Sequence, residues 1–260
     1  MMPQRLLSLT NKVALVTGGA AGIGKASALI LAQAGSDVMI ADLNLDAAKH
    51  TAEEIKKLTG RNIEYVACNI LQDDQLVNAV NKTIETFGHI HILVNNAGGG
   101  GGGRESPDQI SVDTIERDFQ LNVFAAWRLC QLVAPHMNKA GDGSIINISS
   151  MSSINKSPAM SGYASSKAAL NHMVANLAHD FGPNIRINAV GPGAIRTAAL
   201  EKVLKPEIEK TMLSHTPLQL GVQVNRKIFA RAVLFFASPI SSWISGQTLF
   251  VNGGGVQTLD

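Results

Sequence analysis

Charge is scarce in this chain and cysteine scarcer. Charged residues make up 16% of 260, and 22 basic against 20 acidic side chains leave a net charge of +2. With no run of Lys or Arg longer than two, this balance argues against a nucleic-acid-binding face and a polybasic membrane anchor. The two cysteines, Cys68 and Cys130, lie in apolar stretches and form no Cys-x-x-Cys pair. A disulfide framework and a zinc site are excluded, and a reducing cytoplasm is expected. The seven histidines occur singly, without metal-ligand spacing, so no metal is expected. Long apolar runs are absent too. The uncharged stretch from Ala232 to Leu259 is broken by Pro239, Gly246 and Gly253 to Gly255, well short of the roughly 20 residues a membrane span needs. The first dozen residues lack the apolar centre of a signal peptide.

What is present is 45% hydrophobic and alternates in kind along the chain. Short β-branched runs (Val13 to Val16, Val38 to Ala41, Ile63 to Cys68, Ile90 to Val94, Ser144 to Ile148, Ile185 to Val190, Thr248 to Val251) alternate with longer helical patterns. One long helix is expected from near Ser111 to Lys139, with a break around Pro135, and Asp73 is expected to cap another. Continuous apolar strands between amphipathic helices imply α/β architecture: one doubly wound domain over residues 1–260, a seven-stranded parallel sheet with helices on both faces. In such sheets ligands bind beyond the carboxyl ends of the strands. Small and polar residues gather there, from Gly18 to Gly24, at Asp42, Asn69, Asn95 and Asn96, Ser149 and Ser150, and from Pro192 to Thr197.

The loop Thr17 to Gly24 carries glycines at 18, 19, 22 and 24, which allow a tight turn and present a helix N-terminus to a pyrophosphate. Gly18, Gly22, Ile23 and Gly24 are therefore candidate cofactor contacts. Gly19 to Lys25 also spells the phosphate loop of nucleotide hydrolases, but Ala26 stands where that loop needs a magnesium-binding hydroxyl. Asp42 follows Gly24 at close to the spacing of about 20 residues expected of a ribose-binding acid. Its carboxylate would accept hydrogen bonds from the ribose hydroxyls and repel a 2′-phosphate, so NAD(H) is expected rather than NADP(H).

Tyr163 and Lys167 stand four apart, on one face of a helix, with Ser150 thirteen residues upstream at a strand end. A phenol, an ammonium and a hydroxyl beside a dinucleotide loop suit proton-coupled hydride transfer at a carbonyl. In this reading Tyr163 exchanges the substrate proton, Ser150 binds the oxygen, and Lys167 holds the ribose and favours phenolate. Bringing a phenol to neutrality takes a drop of about 3 pH units, or about 4 kcal/mol. An ammonium roughly 5 Å away at an effective dielectric of about 20 supplies about 3 kcal/mol, so the lysine is expected to do most of the lowering. Leu200, Val203, Leu204, Ile208, Met212 and Leu213 recur at helical spacing between 194 and 218, as a lid over an apolar substrate would require.

Taken together, Thr17-Gly18-x-x-x-Gly22-x-Gly24, Asn95 to Gly98, Asn122, Ser150, Tyr163-x-x-x-Lys167 and Pro192-Gly193 resemble the short-chain dehydrogenase/reductases, Rossmann-type oxidoreductases, from end to end. The resemblance implies that Asn122 supports a proton-carrying water chain and that Asn96 lies near the cofactor. It places Asn69 and Ile70 at the adenine, and Ile195 and Thr197 at the nicotinamide carboxamide. Asn69 departs from the family, which usually has aspartate there. Further segments, among them Gln131 to Pro135 and Gly253 to Gln257, are similar to one group of that family, bacterial NAD-dependent 7α-hydroxysteroid dehydrogenases. That likeness implies a homotetramer oxidising the 7α-hydroxyl of a bile acid or steroid, with Gly100 and Asn155 near the small apolar alcohol or ketone. Two alternatives remain open. One is the same chemistry on a 3-oxoacyl thioester or a polyol; the other is a non-catalytic nucleotide sensor, which would not need Ser150, Tyr163 and Lys167 together.

Overall fold

The computed structural model describes residues 6–100, 108–156, 160–193, 210, 214, 216–218 and 226–255. Seven strands form one sheet: β1 (Val13–Thr17), β2 (Asp37–Asp42), β3 (Ile63–Ala67), β4 (Ile92–Asn95), β5 (Gly143–Ile148), β6 (Ile185–Pro192) and β7 (Thr248–Val251). Their order is β3-β2-β1-β4-β5-β6-β7, and every neighbouring pair is parallel. All five residues of β1 and all six of β5 are buried, as strands covered on both faces must be. Side chains alternate along each strand between two cores. On one face Leu15, Met39, Leu93 and Ile145 pack with Leu129, Val133, Leu170 and Val174. On the other, Val16, Ile40, Val94 and Ile146 pack with Leu31, Ile55, Phe229 and Val233.

The helices supplying those faces are α1 (Gly22–Gln33), α2 (Leu45–Thr59), α3 (Asp73–Phe87), α4 (Val112–Phe119), α5 (Ala125–Ala140), α6 (Ser161–Asp180) and α7 (Arg226–Ala237). Strand order reverses between β1 and β4, which opens a crevice at their carboxyl ends. Asn44 caps α2 by accepting the Ala47 amide, and Gly60 closes it at φ 68°, both as helix-end chemistry dictates.

Two expectations are corrected. Asp73 does not cap α3. Gln72 occupies the cap position, while the Asp73 carboxylate takes two hydrogen bonds from Arg128 at 2.6 and 3.2 Å. The long helix does not break at Pro135, which sits inside α5. Pro135 and Gln131, four residues earlier, are both exposed, so the carbonyl that proline leaves unbonded can turn to water. The irregularity lies instead at Gln120–Phe124, one turn of π-helix between α4 and α5. Its cause is Asn122, drawn inward by three hydrogen bonds.

Candidate active site

Thr17, at the end of β1, ties the crevice together. Its hydroxyl accepts the amides of Asn96 and Ala97 (3.1 and 3.0 Å), and Asn96 Nδ2 returns bonds to the carbonyls of Thr17 and Gly18. Asn96 thus braces the glycine loop from across the crevice. Helix α1 starts directly against that loop: a Cβ on Gly24 would stand 2.1 Å from the Gly18 carbonyl oxygen. Ala21, at its cap position, offers no side-chain hydrogen bond and no acid lies in the first turn. The amide groups of that helix end are left to an anionic ligand or water. Nothing lies within 4 Å of where a Cβ on Gly22 would be, so the loop faces open space there. Ile23 packs inward against the core.

Asp42, half-buried at the end of β2, accepts the amides of Ala20 and Asn44, each at 3.0 Å. The acid expected to read a ribose therefore also fixes the glycine loop. Asn69 follows β3; its amide donates to Gln75 Oε1 (2.7 Å) and its Oδ1 accepts from Leu71, with Ile70 packed against the core. A glycine loop, an uncapped helix end and a carboxylate at the next strand end form a donor and acceptor set that fits NAD(H).

Ser150 stands at the end of β5, where its extended backbone starts a single turn of 3-10 helix over Met151–Ser153 and its Oγ accepts the Ser152 amide (3.1 Å). Tyr163 is in the first turn of α6 and shares a hydrogen bond with the Ser150 side chain. Lys167 is buried, donates from Nζ to the Ile148 carbonyl (2.8 Å), and lies 5.9 Å from the Tyr163 ring centroid. The trio spaced out in sequence is thus one cluster.

Its electrostatics differ from the sequence argument. Burial pushes the Tyr163 phenol above its ordinary range; the Ser150 hydrogen bond opposes this and the Asp118 carboxylate adds to it. Burial also takes Lys167 down to about 8, against an upward pull from Asp118. The lysine spends its hydrogen bond on a main-chain carbonyl, and desolvation outweighs the lowering that an ammonium near the phenol was expected to give.

Asn122, in the π turn, is buried. Its Nδ2 donates to the Gly99 carbonyl (2.7 Å) and Ser166 Oγ (3.0 Å), and its Oδ1 accepts the Gly99 amide (3.1 Å). Ser166 in turn donates to the Tyr163 carbonyl (2.7 Å). The wide turn therefore couples the loop after β4 to the helix carrying Tyr163, as π turns at functional sites commonly do. Gly100 lies in that loop against Tyr163: a Cβ there would be 2.3 Å from ring atom Cδ2. Asn155 is placed just past the 3-10 turn, its amide donating to Met151. Ile195, Thr197 and most of the expected lid between 194 and 218 lie outside the described residues.

Sequence reasoning missed a brace behind Ser150. Asn171 donates to Ser153 Oγ (2.8 Å), which donates to the Ser150 carbonyl (2.7 Å). Asn171 is one turn beyond Lys167 on the same helical face, and continuing the Tyr-Lys spacing by four would have found it. Asn171→Ala is expected to lower kcat several-fold by loosening Ser150, with about 1 kcal/mol lost in stability. Steady-state kinetics and thermal denaturation check both; unchanged kcat with a lowered Tm would make the brace purely structural.

Among the described residues no group of three His, Cys, Asp or Glu could hold a metal ion, and no helix is long and apolar enough to cross a membrane.

Several known proteins are similar to this chain. A family model described as enoyl-(acyl carrier protein) reductase matches residues 18–255. A 7α-hydroxysteroid dehydrogenase of Escherichia coli is 46% identical over 256 residues, 98% of each chain. A 3-oxoacyl-[acyl-carrier-protein] reductase of Thermotoga maritima is 36% identical, covering 95% of this chain and 99% of its own. A solved 7α-hydroxysteroid dehydrogenase, complexed with NADH and 7-oxo glycochenodeoxycholic acid, superimposes with a TM-score of 0.95 at 46% identity, covering both chains fully.

Proposed function

Since the chain belongs to the short-chain dehydrogenase/reductase family, a family of oxidoreductases, we propose that it moves hydride between NAD(H) and a secondary alcohol or its ketone, the 7α-hydroxyl of a bile acid. The observation that carries this reading is the cluster of Ser150, Tyr163 and Lys167 beside the glycine loop. Its substrate rests on the relative that binds NADH and a 7-oxo bile acid.

Gly18, Gly22, Ile23 and Gly24 hold the pyrophosphate, Asp42 the adenosine ribose, and Asn69 and Ile70 the adenine. Asn96 keeps the glycine loop in place. The carboxamide is assigned to Ile195 and Thr197 on the family resemblance alone. Oxidised nicotinamide, when bound, would supply the hydride acceptor, and its positive charge before transfer would favour phenolate. The chain's own residues manage the proton. Tyr163 Oη accepts it from the substrate hydroxyl as the carbonyl forms, and Ser150 Oγ donates to that oxygen, holding it within reach. Lys167 binds the nicotinamide ribose and stabilises phenolate. Asn122, by fixing Gly99 and Ser166, keeps a water path open behind Lys167. Gly100 and Asn155 contact the steroid.

Following NADH absorbance with cholate, 3-hydroxyacyl thioesters and polyols in turn tests this. Turnover of cholate with NAD, and little with NADP, is expected. Turnover of a thioester alone would favour the reading suggested by the 3-oxoacyl carrier reductase, leaving the chemistry intact.

A homotetramer has support in two apolar faces. Val112, Phe124 and Trp127 are exposed along α4 and α5, and Ile240, Trp243 and Leu249 around the edge strand β7. Both tryptophans of the chain are on these faces, Trp127 at 43% exposure and Trp243 at 98%. Two distinct patches, each meeting its own copy across a two-fold axis, would close an assembly of four. Trp127→Glu is expected to leave dimers held by the β7 face, measured by light scattering. A tetramer unaltered by that charge would remove the α4–α5 face from the assembly. Cytoplasmic residence suits the two free, buried thiols, Cys68 and Cys130.

A further inference from the structure

Asp118 is buried at 3% exposure on α4, the helix that packs on α6 ahead of the π turn. Its carboxylate is wedged between two glycines of the site. A Cβ on Gly100 would lie 2.9 Å from its Oδ1, beside the Tyr163 ring, and one on Gly162 would lie 3.2 Å from its Oδ2. Among the described residues Oδ2 has no hydrogen-bond partner. An unpartnered carboxylate oxygen out of water is costly, and a polar core of this size has no packing need for one.

We propose that Asp118 is a positioning residue for the reaction, a buried counter-charge to Lys167 that fixes the pH range over which the Tyr163–Lys167 pair operates. This rests on the proposed roles of those two residues. The elements packed on α4 bring Tyr163 and Lys167 from α6 and only uncharged residues from Gly98 to Gly100 and the π turn Gln120–Phe124. On α4 itself Asp113, Glu116 and Arg117 are exposed and turned away. Among the described residues, then, the carboxylate faces one phenol and one ammonium.

Its charge acts on both in the same direction. A negative neighbour favours the protonated form of a phenol and of an amine alike, and Asp118 raises both groups. Lys167, already taken down to about 8 by burial, would lose its charge at still lower pH without this partner. The phenol, raised by the same charge, would likewise ionise at lower pH. Asp118 thus moves both ionisations upward together and carries the useful range with them.

Asp118→Asn keeps the shape and removes the charge. Both limbs of the kcat/KM profile for NAD-dependent oxidation are expected to move down by about one pH unit, a size typical of one partly screened neighbouring charge. A readout independent of substrate is available because the chain has only two tyrosines, Tyr65 and Tyr163. In a Tyr65→Phe background, ultraviolet titration follows Tyr163 alone, and its midpoint should fall in Asp118→Asn. Carbon-13 NMR supplies a reciprocal test in a chain that keeps Asp118: its carboxyl should titrate at higher pH in Lys167→Met. A uniform loss of kcat with unmoved limbs and an unmoved phenol midpoint would make Asp118 structural only and overturn the proposal, as would an Asp118 titration indifferent to Lys167. Normal titration shifts without turnover of any bile acid would uphold it and sink the substrate assignment alone.

Discussion

Tyr163→Phe is expected to cut kcat by about 10²–10⁴-fold, the contribution of a positioned acid–base group, with NADH affinity affected far less. The phenol is the one group of the cluster that can shuttle a proton on the substrate oxygen. Ser150 is an alcohol, far too weak an acid to give up its proton near neutrality, and Lys167 directs its hydrogen bond to Ile148. Phenylalanine fills the same space beside Gly100, so the fold and the glycine loop stay as they are. The structure sharpens the expected pH dependence. Burial holds the phenol above its ordinary range, so oxidation, which needs phenolate, should gain speed with rising pH through neutrality. Reduction, which needs the phenol, should be nearly flat over the same range. Absorbance at 340 nm in both directions, with NADH binding followed by fluorescence, measures all of this. A loss below tenfold would remove the assignment of Tyr163.

Gly24→Ala is expected to abolish measurable NAD saturation and to destabilise the fold by about 1–3 kcal/mol, the usual cost of overpacking. The added methyl would stand 2.1 Å from the Gly18 carbonyl oxygen and 2.6 Å from Asn96 Nδ2. Neither neighbour can yield cheaply. Gly18 is main chain held by the Ala41 carbonyl, and Asn96 is the brace that joins the loops after β1 and β4. Relief requires α1 to back away from β1, which withdraws its amide groups from the pyrophosphate position. Calorimetric titration with NADH and a urea melt separate the two effects. Retained micromolar affinity would mean that the phosphate is held elsewhere.

Most of the fold was legible because parallel strands buried on both faces are almost uninterrupted apolar runs, and each begins or ends within a residue or two of its observed bounds. Legible for a different reason were the glycine loop, Asp42 and the Tyr-x-x-x-Lys pair, since short-range geometry alone fixes them. The errors were equally physical. Pro135 signalled a break that an exposed position made unnecessary, while the π turn had no signal, because it answers to Gly99 and Ser166, far away in sequence. Asp118 had no signal either. The glycines it stands against, Gly100 and Gly162, and Tyr163 are distant in sequence, so nothing local marks it.

By itself, then, the sequence determined the order of strands and helices, the dinucleotide loop with its acid, and the residue types that perform the chemistry, because these depend on neighbours a few positions apart. Tertiary structure alone decided how those groups ionise. Burial raises the phenol and lowers the lysine, and a carboxylate from another helix sits beside both, and desolvation and charge proximity exist only once distant segments have closed around one another.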